Sequence, residues 1–151
     1  MKLTKTLLLC AVCSVCAEPT AVSWIGSDLD GRSFSGTLKA TNTWLRIGVK
    51  GQIHFADGLF YWTADGDDSE VEKLPFQGQF QDGRLFFTAT GPAEPGCRDQ
   101  ITWHGSFDGT SVFEVRAVWQ RIEKDFVHDL MLTDEVHFTF MPSTEHQLAN
   151  D

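Results

Sequence analysis

Apolar and polar residues alternate along most of the chain in short runs, and Asp-Gly pairs separate many of these runs. The pairs begin at positions 30, 57, 65, 82 and 108, mostly between stretches rich in β-branched and aromatic residues. Alternation with a period of two is typical of strands buried on one face, and Asp-Gly suits the left-handed backbone of tight hairpin turns. Helical periodicity is almost absent, so the pattern predicts an all-β chain of successive antiparallel hairpins.

Two of the pairs fit two-residue turns that bring coherent apolar faces together, one at Asp57-Gly58 and one at Asp82-Gly83. The predicted apolar pairs are Ile53 with Trp62, Phe55 with Phe60, Phe80 with Leu85, Gly78 with Phe87, and Phe76 with Ala89. Register matters because a slip of one residue turns every side chain of a strand to the other face.

A two-residue turn at Asp108-Gly109 would oppose Trp103 and Glu114 and so mix the two faces. A three-residue loop from Asp108 to Thr110 restores the alternation, and we predict that loop. The pairs that follow from it are Trp103 with Val115, Gly105 with Phe113, Ile101 with Ala117, His104 with Glu114, and Thr102 with Arg116.

Further strands are predicted near residues 20–25, 33–39, 43–49 and 134–141, which gives eight to ten in total, while residues 122–134 form a loop or short helix. Val136, Phe138 and Phe140 of the last strand alternate inward. Hairpins with one apolar face each must bury those faces together, and closure also removes exposed sheet edges. We therefore predict an up-and-down meander closed into a barrel of about eight strands, with a β-sandwich as the alternative.

The first 17 residues have the pattern of a secretory signal peptide, with Lys2 and Lys5 before an apolar stretch and Val15-Cys16-Ala17 as the cleavage pattern. This predicts one barrel domain over residues 18–142, a polar tail over residues 143–151, and a secreted or periplasmic location. The apolar stretch is too short for a spanning helix.

The chain is acidic, with a formal net charge of −9, which becomes −11 when Lys2 and Lys5 leave with the signal peptide. Such a surface repels phosphate backbones, so nucleic acid is not an expected partner. Cys97 is the one cysteine outside the signal peptide. It is either an ordinary loop cysteine or a thiol that pairs between chains.

Motifs for catalysis or metal binding are missing from the sequence. There is no Gly-x-Ser-x-Gly elbow, and the histidines at positions 54, 104 and 137 lack metal-ligand spacing. The acidic run from Asp65 to Glu72 fails the EF-hand template, because Glu70 stands where the turn glycine belongs. We therefore predict no cofactor and no metal, and we favour a non-enzymatic protein, while an enzyme of a barrel class without a sequence motif stays open as an alternative.

The C-terminal third resembles the avidin-like barrels of the calycin group. The resemblance lies in Thr102-Trp103-His104-Gly105, in Trp119 sixteen positions after Trp103, and in the aromatic strand Val136-His137-Phe138-Thr139-Phe140. It implies a barrel in which Trp103 and Trp119 point into a cavity. The other biotin-site residues are not matched, since Met131 and Thr139 stand where a third tryptophan and an acid are expected, so biotin binding is not implied.

Two functions follow from these expectations. The first is an exported, non-enzymatic binding module that holds a small apolar or ring-bearing ligand in an aromatic-lined barrel. Its predicted ligand-binding residues are Trp103, Trp119, Phe87, Phe113 and Trp62. The alternative is an interaction protein that uses its acidic surface, such as an inhibitor of a secreted cationic enzyme.

Overall fold

The computed structural model describes residues 29–44, 48–122 and 133–143, and these residues form eight antiparallel strands. The strands are β1 (Arg32–Ala40), β2 (Gly48–Ala56), β3 (Leu59–Ala64), β4 (Leu74–Gln81), β5 (Arg84–Pro92), β6 (Gln100–Phe107), β7 (Val112–Gln120) and β8 (Glu135–Pro142). Each strand pairs with the next, and β8 pairs with β1, so the sheet closes into a barrel. The predicted up-and-down barrel is confirmed, and the sandwich alternative is wrong.

The two tight hairpins have the predicted registers. Ile53 pairs with Trp62 across the first turn, and Gly78 pairs with Phe87 across the second. In the first turn Asp57 has φ 54° and Gly58 has φ 75°, and the second turn repeats these values closely. Two consecutive left-handed residues make the type I′ turn, whose twist matches that of the strands it joins.

The third hairpin differs from the prediction. The loop spans residues 108–111, Phe107 pairs with Val112, and the ladder shifts between His104 and Ser106. Glu114 has φ 51°, and this left-handed residue is the bulge that adds one position to β7. The predicted partners across this hairpin are therefore wrong, as the observed pairs are Trp103 with Ala117, Ile101 with Trp119, His104 with Arg116, Thr102 with Val118, and Ser106 with Phe113.

The bulge also changes the face on which one predicted site residue lies. Phe113 was expected on the inner face opposite Gly105, but it lies on the outer face with 38% of its surface exposed. There its ring lies under the Arg84 guanidinium, 5.6 Å from the ring centroid. On the inner face, Val115 and Phe87 cover Gly105 instead.

The remaining strand predictions divide into three groups. The strands near 33–39 and 134–141 are confirmed as β1 and β8, with Val136 and Phe140 buried and Phe138 packed against the core. A strand over 43–49 is wrong at its start, since β2 begins at Gly48 and residues 41–44 form bends. The strand near 20–25, the signal peptide, residues 123–132 and the tail after residue 143 lie outside the described residues.

The two ends of the barrel differ. At one end, here called the closed end, short turns at residues 57–58, 82–83 and 108–111 join the strands, and Leu29 is fully buried there. At the other, the open end, the connections span residues 41–47, 65–73, 93–99 and 121–134. Long loops carry binding sites more often than tight turns do, so a binding site is expected at the open end.

The interior of the closed half is packed with aromatic rings around Phe55. The Phe55 ring meets those of Phe60, Phe76 and Phe87 edge to face, with centroids 5.2, 5.2 and 5.0 Å apart. Edge-to-face geometry places the positive edge of one ring against the negative face of another and adds to the gain from burial. This half of the barrel is a solid core.

Candidate functional site

A cavity of about 540 Å³ occupies the open half of the barrel. This volume is within the range of small-molecule sites, about 300 to 1,000 Å³. Its described walls are mostly apolar and come from seven of the eight strands together with the loops at residues 65–73 and 93–99. The cavity is therefore formed jointly by the strands and the loops of the open end.

The floor of the cavity is formed by Phe60 and Trp103, whose ring centroids lie 5.0 Å apart. Both are buried, and they separate the cavity from the aromatic core below. Trp103 pairs with Ala89 on one side and Ala117 on the other. These small neighbours leave the indole ring as the dominant surface at this level.

One side of the cavity lies where two strands separate. β3 and β4 pair at Leu59 with Pro75 and at Phe60 with Leu74, and beyond Phe60 the two strands diverge. Trp62 lines the cavity above that point and packs edge to face on Phe140, with centroids 5.9 Å apart. The divergence makes room for residues 65–73, which form the neighbouring part of the wall.

A buried carboxylate holds the third tryptophan. Asp99 is 8% exposed, and it accepts hydrogen bonds from Trp119 Nε1 at 3.0 Å and from the Ile122 backbone N–H at 2.6 Å. It thereby connects the loop before β6 to the chain that leaves β7. Because the indole N–H is used by Asp99, Trp119 offers the cavity its ring rather than a hydrogen-bond donor.

Four carboxylates, here called the acidic rim, lie among the residues that line the cavity at the loops. Asp67, Glu70 and Glu72 come from the loop at 65–73 and Glu94 from the loop at 93–99. Hydrogen bonds from the backbone and side chain of Ser69 lower the pKa of Asp67 below 3.8. Among the described residues that line the cavity, every charged side chain is acidic.

The five residues predicted to bind the ligand are not all in one place. Trp62, Trp103 and Trp119 line the cavity. Phe87 lies one layer lower, buried in the aromatic core with its ring centroid 5.0 Å from that of Phe55. Phe113 lies on the outer face because of the bulge at Glu114 in β7.

Sequence reasoning missed the residues that complete the site. It placed Phe60 and Phe138 on the inner face but not at the cavity, because alternation gives the face of a residue and not its height in the barrel. It tested the acidic residues of 65–73 only against the EF-hand template.

On the outer face, His54 lies within a polar network. Its Nδ1 is 2.8 Å from Ser33 Oγ, its Nε2 is 2.9 Å from Thr63 Oγ1, and its ring stacks on Tyr61. Burial lowers the pKa of His54 below its ordinary value of 6.5. The two hydroxyl groups lie within hydrogen-bond distance of both ring nitrogens, so His54 links β1, β2 and β3 across the sheet.

Within the described ranges, no group of three or more His, Cys, Asp or Glu side chains is arranged to hold a metal ion.

Cys97 is half-buried in the loop at 93–99, where its Sγ accepts from the Glu94 backbone N–H at 3.1 Å and donates to the Asp99 carbonyl. The thiol thus shapes the loop that presents Glu94 and Asp99.

In the described part of the chain, no helix has the length and apolar character needed to cross a membrane. Comparison of the chain with protein-family models, with curated proteins and with solved structures finds no match.

Proposed function

We propose that this protein is a non-enzymatic binding module that holds a small apolar or ring-bearing molecule in the cavity at the open end of its barrel. The observation that carries the proposal is the cavity of about 540 Å³ whose floor and walls include Trp62, Trp103 and Trp119. Flat indole rings that line a concave site bury a ring-shaped ligand efficiently, with little loss of side-chain entropy.

The rigidity of the site supports the proposal. Trp103 rests on Phe60, Trp62 rests on Phe140, and Asp99 fixes Trp119. Walls that are already held in place need not be ordered by the ligand, so more of the contact energy appears as affinity. If the cavity were only a packing defect, its tryptophans would lack such fixing contacts.

The proposal also includes a cellular location and a similarity to avidin-like barrels. We take residues 1–17 as a signal peptide, so the module acts in a secreted or periplasmic setting. Similarity to avidin-like barrels fits a closed barrel with two tryptophans at its open end, while the unmatched biotin-site residues argue for a different ligand.

The proposal is tested by titrating the purified protein with a panel of small ring compounds, followed by tryptophan fluorescence and calorimetry. We expect saturable binding at one site, weakened by about tenfold or more in Trp62→Leu, because this substitution removes one aromatic wall. Phe113→Leu is the matched control, since its aromatic ring is on the outer face. Equal losses in the two variants, or no saturable binding of any compound, would contradict the proposal.

The net charge of −9 and the acidic rim favour a second candidate, a protein that binds a secreted cationic enzyme through its surface. Electrostatic steering makes such an association strongly dependent on salt. Capture of a cationic hydrolase at low salt and its release at high salt, unaffected by Trp62→Leu, would favour this candidate over the cavity.

A further inference from the structure

We infer that the ligand of the cavity is an organic cation, with an ammonium group attached to an apolar or ring-bearing body. This inference rests on the proposed function and specifies the chemical class of its ligand. Two features of the cavity carry it, the charges at its loops and the surface that its tryptophans present.

The carboxylates of the acidic rim come from two separate loops. Glu70 and Glu72 belong to the connection between β3 and β4, and Glu94 belongs to the connection between β5 and β6. No lysine or arginine within the described ranges forms an ion pair with these three glutamates. Like charges brought to one opening from two sides repel each other, and a bound cation would relieve that repulsion.

The one lysine of the loop at 65–73 is engaged elsewhere. The Lys73 ammonium lies 5.2 Å from the centroid of the Tyr61 ring, and that ring stacks on His54 at the outer face of the sheet. The charge of Lys73 is thus used in a cation–π contact beside the opening.

The tryptophans supply the second feature. Asp99 takes the indole N–H of Trp119, so the cavity meets the ring of Trp119 and not its donor. An indole face carries negative potential and attracts a cation more strongly than the other aromatic side chains do. The ring of Trp119 therefore favours the same sign of charge as the carboxylates of the acidic rim.

The aromatic surface lies deep in the cavity and the carboxylates lie at its opening, which is the order that suits an amphiphilic molecule. The deepest residues, Phe60 and Trp103, are apolar and buried, whereas the glutamates lie in the loops at the opening. A ring or hydrocarbon body reaches the floor while an ammonium group stays near water and the carboxylates. An anion in the same position would be repelled by the carboxylates of the acidic rim.

The test uses three naphthalene compounds that differ in charge, which are 1-naphthylmethylammonium, 1-naphthalenemethanol and 1-naphthoate. We expect the ammonium compound to bind on the order of tenfold more tightly than the alcohol, and the carboxylate to bind least, by calorimetry at low salt. The preference for the cation is expected to shrink when the ionic strength rises from about 0.05 M to about 0.5 M.

Glu72→Gln/Glu94→Gln is expected to reduce the preference for the ammonium compound several-fold and to leave the affinity for the alcohol unchanged. Asp57→Asn/Asp82→Asn is the matched control, because it removes the same charge from the closed end and Asn tolerates the left-handed turn backbone. Equal affinities for the ammonium compound and the alcohol, tighter binding of naphthoate, or equal effects of the two variants would overturn the inference and leave the binding module intact. Failure of all three compounds to bind would overturn both.

Discussion

Replacement of Asp99 by Ala is expected to lower the stability of the barrel and to release Trp119 at the same time. The carboxylate is buried and accepts from the indole N–H of Trp119 and from the backbone N–H of Ile122. Alanine offers neither acceptor, so the substitution disconnects the loop before β6 from the chain after β7. The two effects have one cause, which makes them a sharp test of the site.

The magnitude follows from the two contacts. A hydrogen bond to a charged group contributes about 1.5 to 3 kcal/mol. Trp119 is half-buried and Ile122 is exposed, so water can reach both donors after the substitution, and each bond is counted at the lower limit. Asp99 also has a further partner besides these two donors, so we expect Asp99→Ala to cost at least about 3 kcal/mol of unfolding free energy. Asp99→Asn keeps one acceptor and presents N–H₂ to the other donor, so its cost is about 1.5 kcal/mol.

The assay is urea denaturation followed by far-UV circular dichroism, with Trp119→Phe and the double variant completing a cycle. Trp119→Phe keeps a ring and removes only the indole N–H that Asp99 accepts. We expect a coupling energy of about 1 to 2 kcal/mol between the two positions. In the ¹⁵N NMR spectrum, the indole N–H resonance of Trp119 is expected to shift toward the solvent-exposed range in Asp99→Ala.

Two results would refute this account of Asp99. One is an unfolding free energy of Asp99→Ala within about 0.5 kcal/mol of the parent, the range of an ordinary surface substitution. The other is a coupling energy near zero together with an unchanged Trp119 indole resonance.

Three further predictions concern the barrel itself. Gly105→Ala is expected to destabilise it by about 1 to 3 kcal/mol, because the new Cβ would lie 2.5 Å from Cζ of Phe87, and Phe87→Leu should recover part of that loss in thermal unfolding. The lowered pKa of His54 means that the unfolded chain binds the proton more readily, so stability should fall as pH drops below about 6.5, and His54→Gln should flatten that slope in pH-dependent denaturation. Asp108 accepts from two backbone N–H groups of its own loop, which lower its pKa below 3.8. Asp108→Ala should therefore lower the melting temperature at neutral pH and have little effect at a pH below the folded-state pKa of this carboxyl group.

The hairpin registers could be predicted because the turns leave few choices. Asp57-Gly58 and Asp82-Gly83 each supply two left-handed residues, and the two-residue turn they form permits one register, which also had to place the apolar residues together. The bulge at Glu114 could not be found in this way. Glutamate carries no signal for a left-handed backbone. The apolar residues of β7 also alternate acceptably on each side of the inserted position, so the alternation does not reveal the bulge.

The site could be predicted only in part, for a geometrical reason. Alternation correctly placed Trp62, Trp103 and Trp119 inside the barrel, but the level of each along the barrel axis depends on pairing with every neighbouring strand. Phe87 pairs with Gly105 and so lies one layer below Trp103. The loops were beyond reach, because nothing in a polar run shows which way it folds over the strand ends.

The cavity and the core occupy separate halves of the same barrel, and this division explains how an open site coexists with a stable fold. In the closed half, inward-pointing phenylalanines meet at centroid distances of 5.0 to 5.2 Å. In the open half, the inner positions next to Trp103 are alanines, and β3 and β4 diverge. Unfilled space costs stability in proportion to its volume, so a cavity of this size persists only where other parts of the fold offset that cost. The tight turns and packed rings of the closed end provide this stability, and the loops of the open end carry the carboxylates of the acidic rim.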